Sequence, residues 1–313
     1  MTIGVLRGGP GAHYDRSLAS GSLVSRALRD KYPTRDIYID RVGMWHFEGM
    51  PTVPQRLLSH IDFFWNCLHG EYGEDGVLQR DLDNLGARYT GPGAIPARFA
   101  WRKDLAKKFL READLLVPDS INVRLGDDLS NVSREAFAKI GGQYIVKPAK
   151  GANSEGVFFS PSFYDLEQVL KVTLGNFDHV LIEEAIHGKE IKCLVARGFR
   201  GDDYYSFLPV ELDKRSSVGI YRPNDNRVSV IVPARLSISE KTMLMNTARM
   251  AHKALDLGEY SLVDMILAPR GVVVLEVDAL PDLSDGSVLS KSLSAVGATP
   301  SEFFRHVVTY AHD

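Results

Sequence analysis

Residues 260–278 read YSLVDMILAPRGVVVLEVD. Two apolar runs, YSLVDMIL and GVVVLEVD, flank the turn signal APRG, and together they predict a β-hairpin. Three acids interrupt the apolar pattern: Asp264 on the first strand, Glu276 and Asp278 on the second. Glu276 and Asp278 are two residues apart and therefore share a face. An odd number of residues in the turn would bring Asp264 opposite Glu276 on that face. Carboxylates crowded in this way repel one another and are costly to desolvate. A divalent cation relieves both, and Mg²⁺ takes a few carboxylates together with phosphate oxygens. The alternative is a solvated strand face on which the acids meet only water.

Working outward, Ser237 and Glu240 form a capping box at the start of a long helix before the hairpin. After it, Thr299-Pro300-Ser301-Glu302 predicts the start of the last helix, with a glutamate reaching back to the cap. The strand-rich region VLIEEAI, EIKCLVA, YYSFLPVEL and VSVIVPA lies upstream. A smaller α+β segment precedes that: a basic helix from Ala97 to about Arg111, the strand YIVK (Tyr144–Lys147), the loop PAKGANSEG, the strand VFFS and a helix around Tyr164–Val172.

The first ninety or so residues alternate strand and helix. IGVL, IYID, the continuously apolar IDFFWNCL and RYTG read as strands, with helices from Ser17 to about Arg29 and after Gly76. This predicts a doubly wound unit with a parallel sheet. The turn-rich TGPGAIP marks its end. The expected organisation is 1–95, 96–182 and 183–313.

Composition sets outer limits. With 37 Lys and Arg against 40 Asp and Glu, the net charge is −3, which argues against a dedicated nucleic-acid partner. No apolar stretch has the length of a membrane span, and the N-terminal MTIGVLRGG is strand-like rather than a signal peptide. Cys67 and Cys193, both in apolar runs, read as buried thiols of a protein in a reducing cytoplasm.

Other residues carry weaker chemical signals. Lys147 ends an apolar strand at the base of the loop Lys150–Gly156, whose glycines allow backbone N–H groups close to phosphate oxygens. The competing reading is an ordinary surface turn. Lys103 on the basic helix reads alone as a solvated charge. VLIEEAIHGKE reads in isolation as an ordinary hairpin, although a nucleotide could use such a strand edge.

Taken together, the chain resembles the D-alanine–D-alanine ligases of the ATP-grasp superfamily. The resemblance is carried by GVLRGGPGAHYDRSLASG, LHGEYGEDGVLQRDLDNLGARYTGPG, Arg102-Lys103, YIVKPAKGANSEGV, VLIEEAIHGKE and LVDMIL…VVVLEVDALPDLSDGS, and it spans nearly the whole length. It implies an N-terminal α/β domain followed by a two-lobed ATP-grasp fold. It further implies ATP, Mg²⁺ or Mn²⁺, two amino-acid substrates and a homodimer through the N-terminal domain. The resemblance gives Lys103 and Lys147 to the ATP phosphates, Glu183 and Ile186 to the adenine side, Glu190 to the ribose, and Leu275 to the nucleotide site. Asp264, Glu276 and Asp278 match the metal ligands. Ser154 lies in the phosphate-covering loop, and His69 and Ser287 stand near the first and second substrates. Arg222 sits in a lid over the γ-phosphate, residues 215–227.

The departures fall on the substrate side. His13 stands at the position of the family's glutamate for the first ammonium, with Asp15 nearby. Leu262 replaces an arginine that contacts the acyl phosphate, Asp282 a glycine of the oxyanion loop, and Asn153 a serine. The expected activity is therefore ATP-dependent ligation of two D-alanines through an acyl phosphate, for a peptidoglycan precursor. The alternatives are a ligase for a different amino or hydroxy acid pair, or a nucleotide-binding relative with little catalysis.

Overall fold

The computed structural model describes residues 1–151, 155–214 and 228–312, arranged in three sheets with helices between them. The N-terminal lobe contains β1 (Ile3–Gly8), α1 (Tyr14–Leu28), β2 (Thr34–Ile39), β3 (Trp45–Phe47), β4 (Met50–Thr52), α2 (Pro54–Leu57), β5 (Phe63–Asn66) and α3 (Val77–Asn84). Its sheet has the order β4-β3-β2-β1-β5. β1 runs parallel to β2 and β5, as the continuous apolar runs require, but β3 and β4 add an antiparallel hairpin that the alternation does not predict. The sheet is therefore mixed rather than wholly parallel. RYTG contributes only an isolated bridge between Tyr89 and Phe64.

Two helices follow, α4 (Ala94–Trp101) and α5 (Lys103–Glu112), where the sequence reads as one. The break is at Arg102, whose backbone is extended (φ −93°, ψ 98°). Next come β6 (Ser120–Arg124), α6 (Leu129–Ile140), β7 (Tyr144–Pro148), β8 (Phe158–Ser160), α7 (Phe163–Leu174) and β9 (His179–Glu184). The strands form an antiparallel sheet, β6-β9-β7-β8, which packs on α6 and α7 through Val123, Ala136, Val146 and Leu170. The expected division between 182 and 183 falls inside β9, which pairs with β6 and β7 as far as Glu184.

The third sheet contains β10 (Lys189–Arg197), β11 (Tyr204–Ser206), β12 (Val210–Lys214), β13 (Val228–Ile231), β14 (Tyr260–Ala268) and β15 (Gly271–Asp278), with α8 (Ile238–Leu255) packed on one face. Its order is β13-β12-β10-β14-β15, and β11 also pairs with β10. The capping box of α8 forms as predicted, with the Ser237 hydroxyl accepting the Glu240 N–H and the Glu240 carboxylate accepting the Ser237 N–H. α5 packs here too, its Ala106 and Leu110 in one core with Leu244, Ala248 and Val274. Residues 103–117 therefore pack on the last sheet and not on the middle one, because the apolar side of α5 faces α8.

The other face of this sheet is divided. At one end Leu194, Ala196, Tyr260 and Leu262 join a core with Leu23 and Trp65 of the N-terminal lobe. α9 (Val288–Ala295) and α10 (Pro300–His312) complete that core through Leu289, Phe303 and Phe304. The Thr299 hydroxyl caps α10 by accepting the Glu302 N–H, but the Glu302 carboxylate turns to Arg200 (3.2 Å) instead of reaching back to the cap. Among the described residues no helix is long and apolar enough to cross a membrane. Cys67 and Cys193 are free and buried, and burial pushes the Cys193 thiol up to about 12.

Candidate active site

The acids of the β14–β15 hairpin do share a face, but not through the turn. The turn is two residues long, Pro269 and Arg270, since Ala268 pairs with Gly271. The register then shifts: Met265 pairs with Val274, yet Asp264 pairs with Glu276. Leu275 is the extra residue of a β-bulge. A bulge, not an odd turn, supplies the one-residue offset that sets Asp264 across from Glu276 and Leu262 across from Asp278.

Lys192 of β10 is opposite Asp264 and lies on the same face. Its Nζ donates to Asp264 Oδ2, with both side chains mostly buried. Among the described residues Asp264 Oδ1 is buried with no hydrogen-bond partner. Burial pushes Asp264 up, and the neighbouring Glu276 adds to this against the pull of Lys192, giving about 6. Burial acts the same way on Glu276, but the ammoniums of Lys103, Lys147 and Lys192 outweigh it and hold that carboxyl down at about 2. Asp278 is driven well up by burial and by the charges of Glu74 and Asp264.

The helix break explains how Lys103 arrives. With Arg102 extended, the Lys103 N–H donates to the Ala149 carbonyl (2.8 Å), and Arg102 pairs with Lys150 in an isolated antiparallel bridge. The start of α5 is thus tied to the loop after β7. Lys103 Nζ donates to the Gly151 carbonyl and lies 3.3 Å from Glu276 Oε2. Arg102 itself is occupied by a bidentate pair with Asp104 (2.9 and 2.7 Å).

Lys147 turns inward to Glu183, at 2.9 Å, and Lys107 reaches the other carboxylate oxygen at 3.0 Å. All three are almost fully buried. Burial lowers the Lys107 ammonium to about 8, against the upward pull of Glu183. Glu183 is shifted below the usual carboxylate range: burial raises it, but the two lysines outweigh that. Ile186 is half-buried in the loop after β9, and Glu190 shares a face of β10 with Lys192. The hairpin tip is tied to the same region, since Arg270 pairs with Glu184.

The strand exit of β15 leads to the second half of the site. Asp278 accepts the Leu280 N–H (3.0 Å), and the Leu280 carbonyl accepts from His69 Nδ1 (3.0 Å), which places a proton on that nitrogen. His69 Nε2 is 2.9 Å from the Ser20 hydroxyl, and Glu74 is 3.6 Å from His69. Asp282 lies 3.3 Å from the same hydroxyl, accepts the Ser284 N–H (2.9 Å) and faces Arg16 at 3.8 Å. Burial lowers the His13 imidazole, and the Arg16 charge lowers it further. Ser287 is the N-cap of α9, its hydroxyl accepting the Ser290 N–H. Leu262, 6% exposed, is core, so no cation stands at its position.

Ser154, Arg222 and the expected lid at 215–227 lie outside the described residues, as does Asn153. Sequence reasoning missed Lys107 and Lys192. Lys107 follows Lys103 by one helical turn, and Lys192 interrupts an apolar strand two residues after Glu190; either spacing could have drawn notice.

Among the described residues no group of three or more His, Cys, Asp or Glu side chains forms a cage able to hold a metal ion unaided. Lysine ammoniums stand between the carboxylates instead. The face still fits a magnesium-type cation, which takes only one or two carboxylates and completes its shell with phosphate oxygens and water. The unpartnered Asp264 Oδ1 is the oxygen such an ion would satisfy.

Comparison with known proteins bears on family and fold. A family model, D-ala D-ala ligase C-terminus, matches residues 109–309. A D-alanine–D-alanine ligase of Clostridium beijerinckii is 28% identical, over 98% of this chain and 97% of that protein. The crystal structure of a D-Ala:D-Ser ligase from Enterococcus faecalis superposes with a TM-score of 0.88 at 24% identity, covering 99% of each chain, a likeness of fold. That of a Bacillus anthracis D-alanine–D-alanine ligase complexed with ATP gives 0.82 at 26% identity, over 100% of this chain and 97% of the other. The ordering of lobes, the lysine-lined loop and the acidic hairpin, together with a family match over most of the chain, place this protein in the D-alanine–D-alanine ligase family, with the ATP-grasp fold.

Proposed function

We propose that the protein is an ATP-dependent ligase that joins two D-alanines into the dipeptide used for a peptidoglycan precursor. One arrangement carries the reading: lysines from two different elements, Lys103 and Lys147, converge with Glu276 beside Asp264 and Asp278. Such a patch neutralises a triphosphate from one side and holds it against an acidic strand face.

In the first step the substrate carboxylate attacks the γ-phosphorus; the bond to the β–γ bridging oxygen breaks, ADP leaves and an acyl phosphate forms. In the second, the amine of the other amino acid attacks the acyl carbon, the C–O bond to phosphate breaks and the ammonium proton is lost. Catalysis of this kind is chiefly positioning and charge neutralisation. Lys103 and Lys147 hold phosphate oxygens, while Glu183 and Ile186 border the adenine and Glu190 the ribose. Mg²⁺ or Mn²⁺, held by Asp264, Glu276 and Asp278, would neutralise phosphate charge. His69 and Ser287 border the amino acids; Asp282, beside Ser20 and His69, offers a carboxylate for the first ammonium.

His13, Leu262 and Asp282 favour a second reading, a ligase for a different acid pair. Phosphate release from Mg·ATP with a panel of D- and L-amino and hydroxy acids tests both. Release with D-alanine alone supports the first; release only with another acid supports the second. No release with any acid would leave nucleotide binding alone.

A further inference from the structure

The amino-acid side of the cleft offers Asp282 to an ammonium, but Leu262 is core and supplies no cation for the carboxylate that must react. Arg16 is placed to do so. It lies in the first turn of α1, where the helix macrodipole disfavours a positive charge. Its Nε is 3.8 Å from Asp282 Oδ2, and the two side chains are 21% and 33% exposed. Asp282 Oδ1 accepts from the Ser20 hydroxyl and the Ser284 N–H, which fixes the carboxylate and turns Oδ2 toward Arg16. The Arg16–Asp282 separation exceeds a hydrogen bond, so a small zwitterion can enter between the two charges. His13 steadies the helix start: a Cβ on Gly70 would come within 2.9 Å of its ring. The charges of Arg16, His69, Glu74 and Glu155 all act on that imidazole. Arg16 therefore stands where α1 meets the turn after β5 and the loop after β7, with the exit of β15 beside it. Arg102, by contrast, is held at two points by Asp104.

Building on the ligase reading, we infer that Arg16 binds the carboxylate of the first amino acid while Asp282 binds its ammonium, so that the ion pair opens around an α-amino-acid zwitterion. A guanidinium presents a planar fork of N–H donors that suits a carboxylate. One carboxylate oxygen rests on Arg16 and the other attacks the γ-phosphorus. In the second step the guanidinium faces the oxygen that gains charge as the amine adds to the acyl carbon. The bonds made and broken are those of the two steps above. A substrate class follows for the first position. An α-hydroxy acid would part Asp282 from Arg16 and bring no ammonium to replace it, leaving the carboxylate uncompensated. The first position therefore takes α-amino acids and rejects α-hydroxy acids.

Phosphate release from Mg·ATP by the full chain tests this, with D-alanine or whichever acid of the panel the wild type turns over. Arg16→Ala should lower kcat/KM for the acid on the order of 100-fold with KM for ATP unchanged, and Arg16→Lys should lower it less. Guanidinium chloride should restore part of the Arg16→Ala rate and sodium chloride none, a rescue that loss of a merely structural contact would not show. The Tm of Arg16→Ala should hold or rise, since a cation leaves the first turn of a helix. D-lactate alone should give no release from the wild type. A folded Arg16→Ala with wild-type kcat/KM overturns the inference and leaves the ligase reading intact. So does release with D-lactate alone, or a loss that neither guanidinium restores nor Arg16→Lys lessens. No release from the wild type with any acid overturns the inference together with the ligase reading on which it rests.

Discussion

The nucleotide side and the amino-acid side of the site are built on different physical terms. On the nucleotide side the charged groups are buried and shared: Glu183 between Lys107 and Lys147, Glu276 among Lys103, Lys147 and Lys192. Removing one member leaves another uncompensated in a poorly solvated place. On the amino-acid side the polar groups are anchored to backbone and hydroxyls, as in His69 to the Leu280 carbonyl and Asp282 to the Ser284 N–H. Single replacements there leave a smaller debt. The first half therefore tolerates little change, while the second can be retuned for another substrate, and the departures His13, Leu262 and Asp282 all fall in the second.

The sharpest way to break this contrast is Glu276→Ala. Phosphate release from Mg·ATP should fall on the order of 1,000-fold with the circular dichroism spectrum unchanged. Unchanged turnover would remove the nucleotide side from the argument. Next, Lys107→Met should lower the urea unfolding free energy by about 3 kcal/mol, because Glu183 keeps only Lys147. A loss under about 1 kcal/mol would show that the buried charges are not interdependent.

Glu259 sharpens the comparison outside the site. It is buried and accepts the Gly91 N–H (2.7 Å), and burial raises its carboxyl to about 7 from an ordinary 4.5. The folded chain therefore keeps this proton to higher pH than the unfolded chain does. The contribution is fully present below about 4.5 and is lost as pH rises through about 7, roughly 3 kcal/mol in all. Glu259→Gln should remove that decline from stability measured across this window, since the amide oxygen still accepts from Gly91. The smallest effect is expected on the amino-acid side. Asp282→Asn should raise KM for the first amino acid about tenfold, roughly 1.4 kcal/mol, with KM for ATP unchanged. An equal rise for ATP would blur the boundary between the two halves.

Much of this was legible from residues alone. The strand acids, the capping box at Ser237 and the apolar runs of β1 and β5 follow from local periodicity and hydrogen-bonding chemistry. What stayed hidden depends on contacts distant in sequence. The bulge at Leu275 leaves the hairpin's composition unchanged, yet it decides which residues face each other. The break at Arg102 is stabilised by Ala149 and Lys150, nearly fifty residues on. Lys107 and Lys192 resemble solvated surface lysines until their carboxylate partners arrive from other strands. The hairpin β3–β4 is too short to leave an alternating pattern.

Because the offset that aligns Asp264 with Glu276 resides within the strand and not at the tip, the connection between β14 and β15 has no say in the alignment. Residues inserted between Ala268 and Gly271 would lengthen a loop on the outside of the molecule while the acids kept their partners. Regular pairing through this stretch, with Leu275 instead of Glu276 opposite Asp264, would leave the loop untouched and turn Glu276 and Asp278 toward α8, into a core that has no place for them.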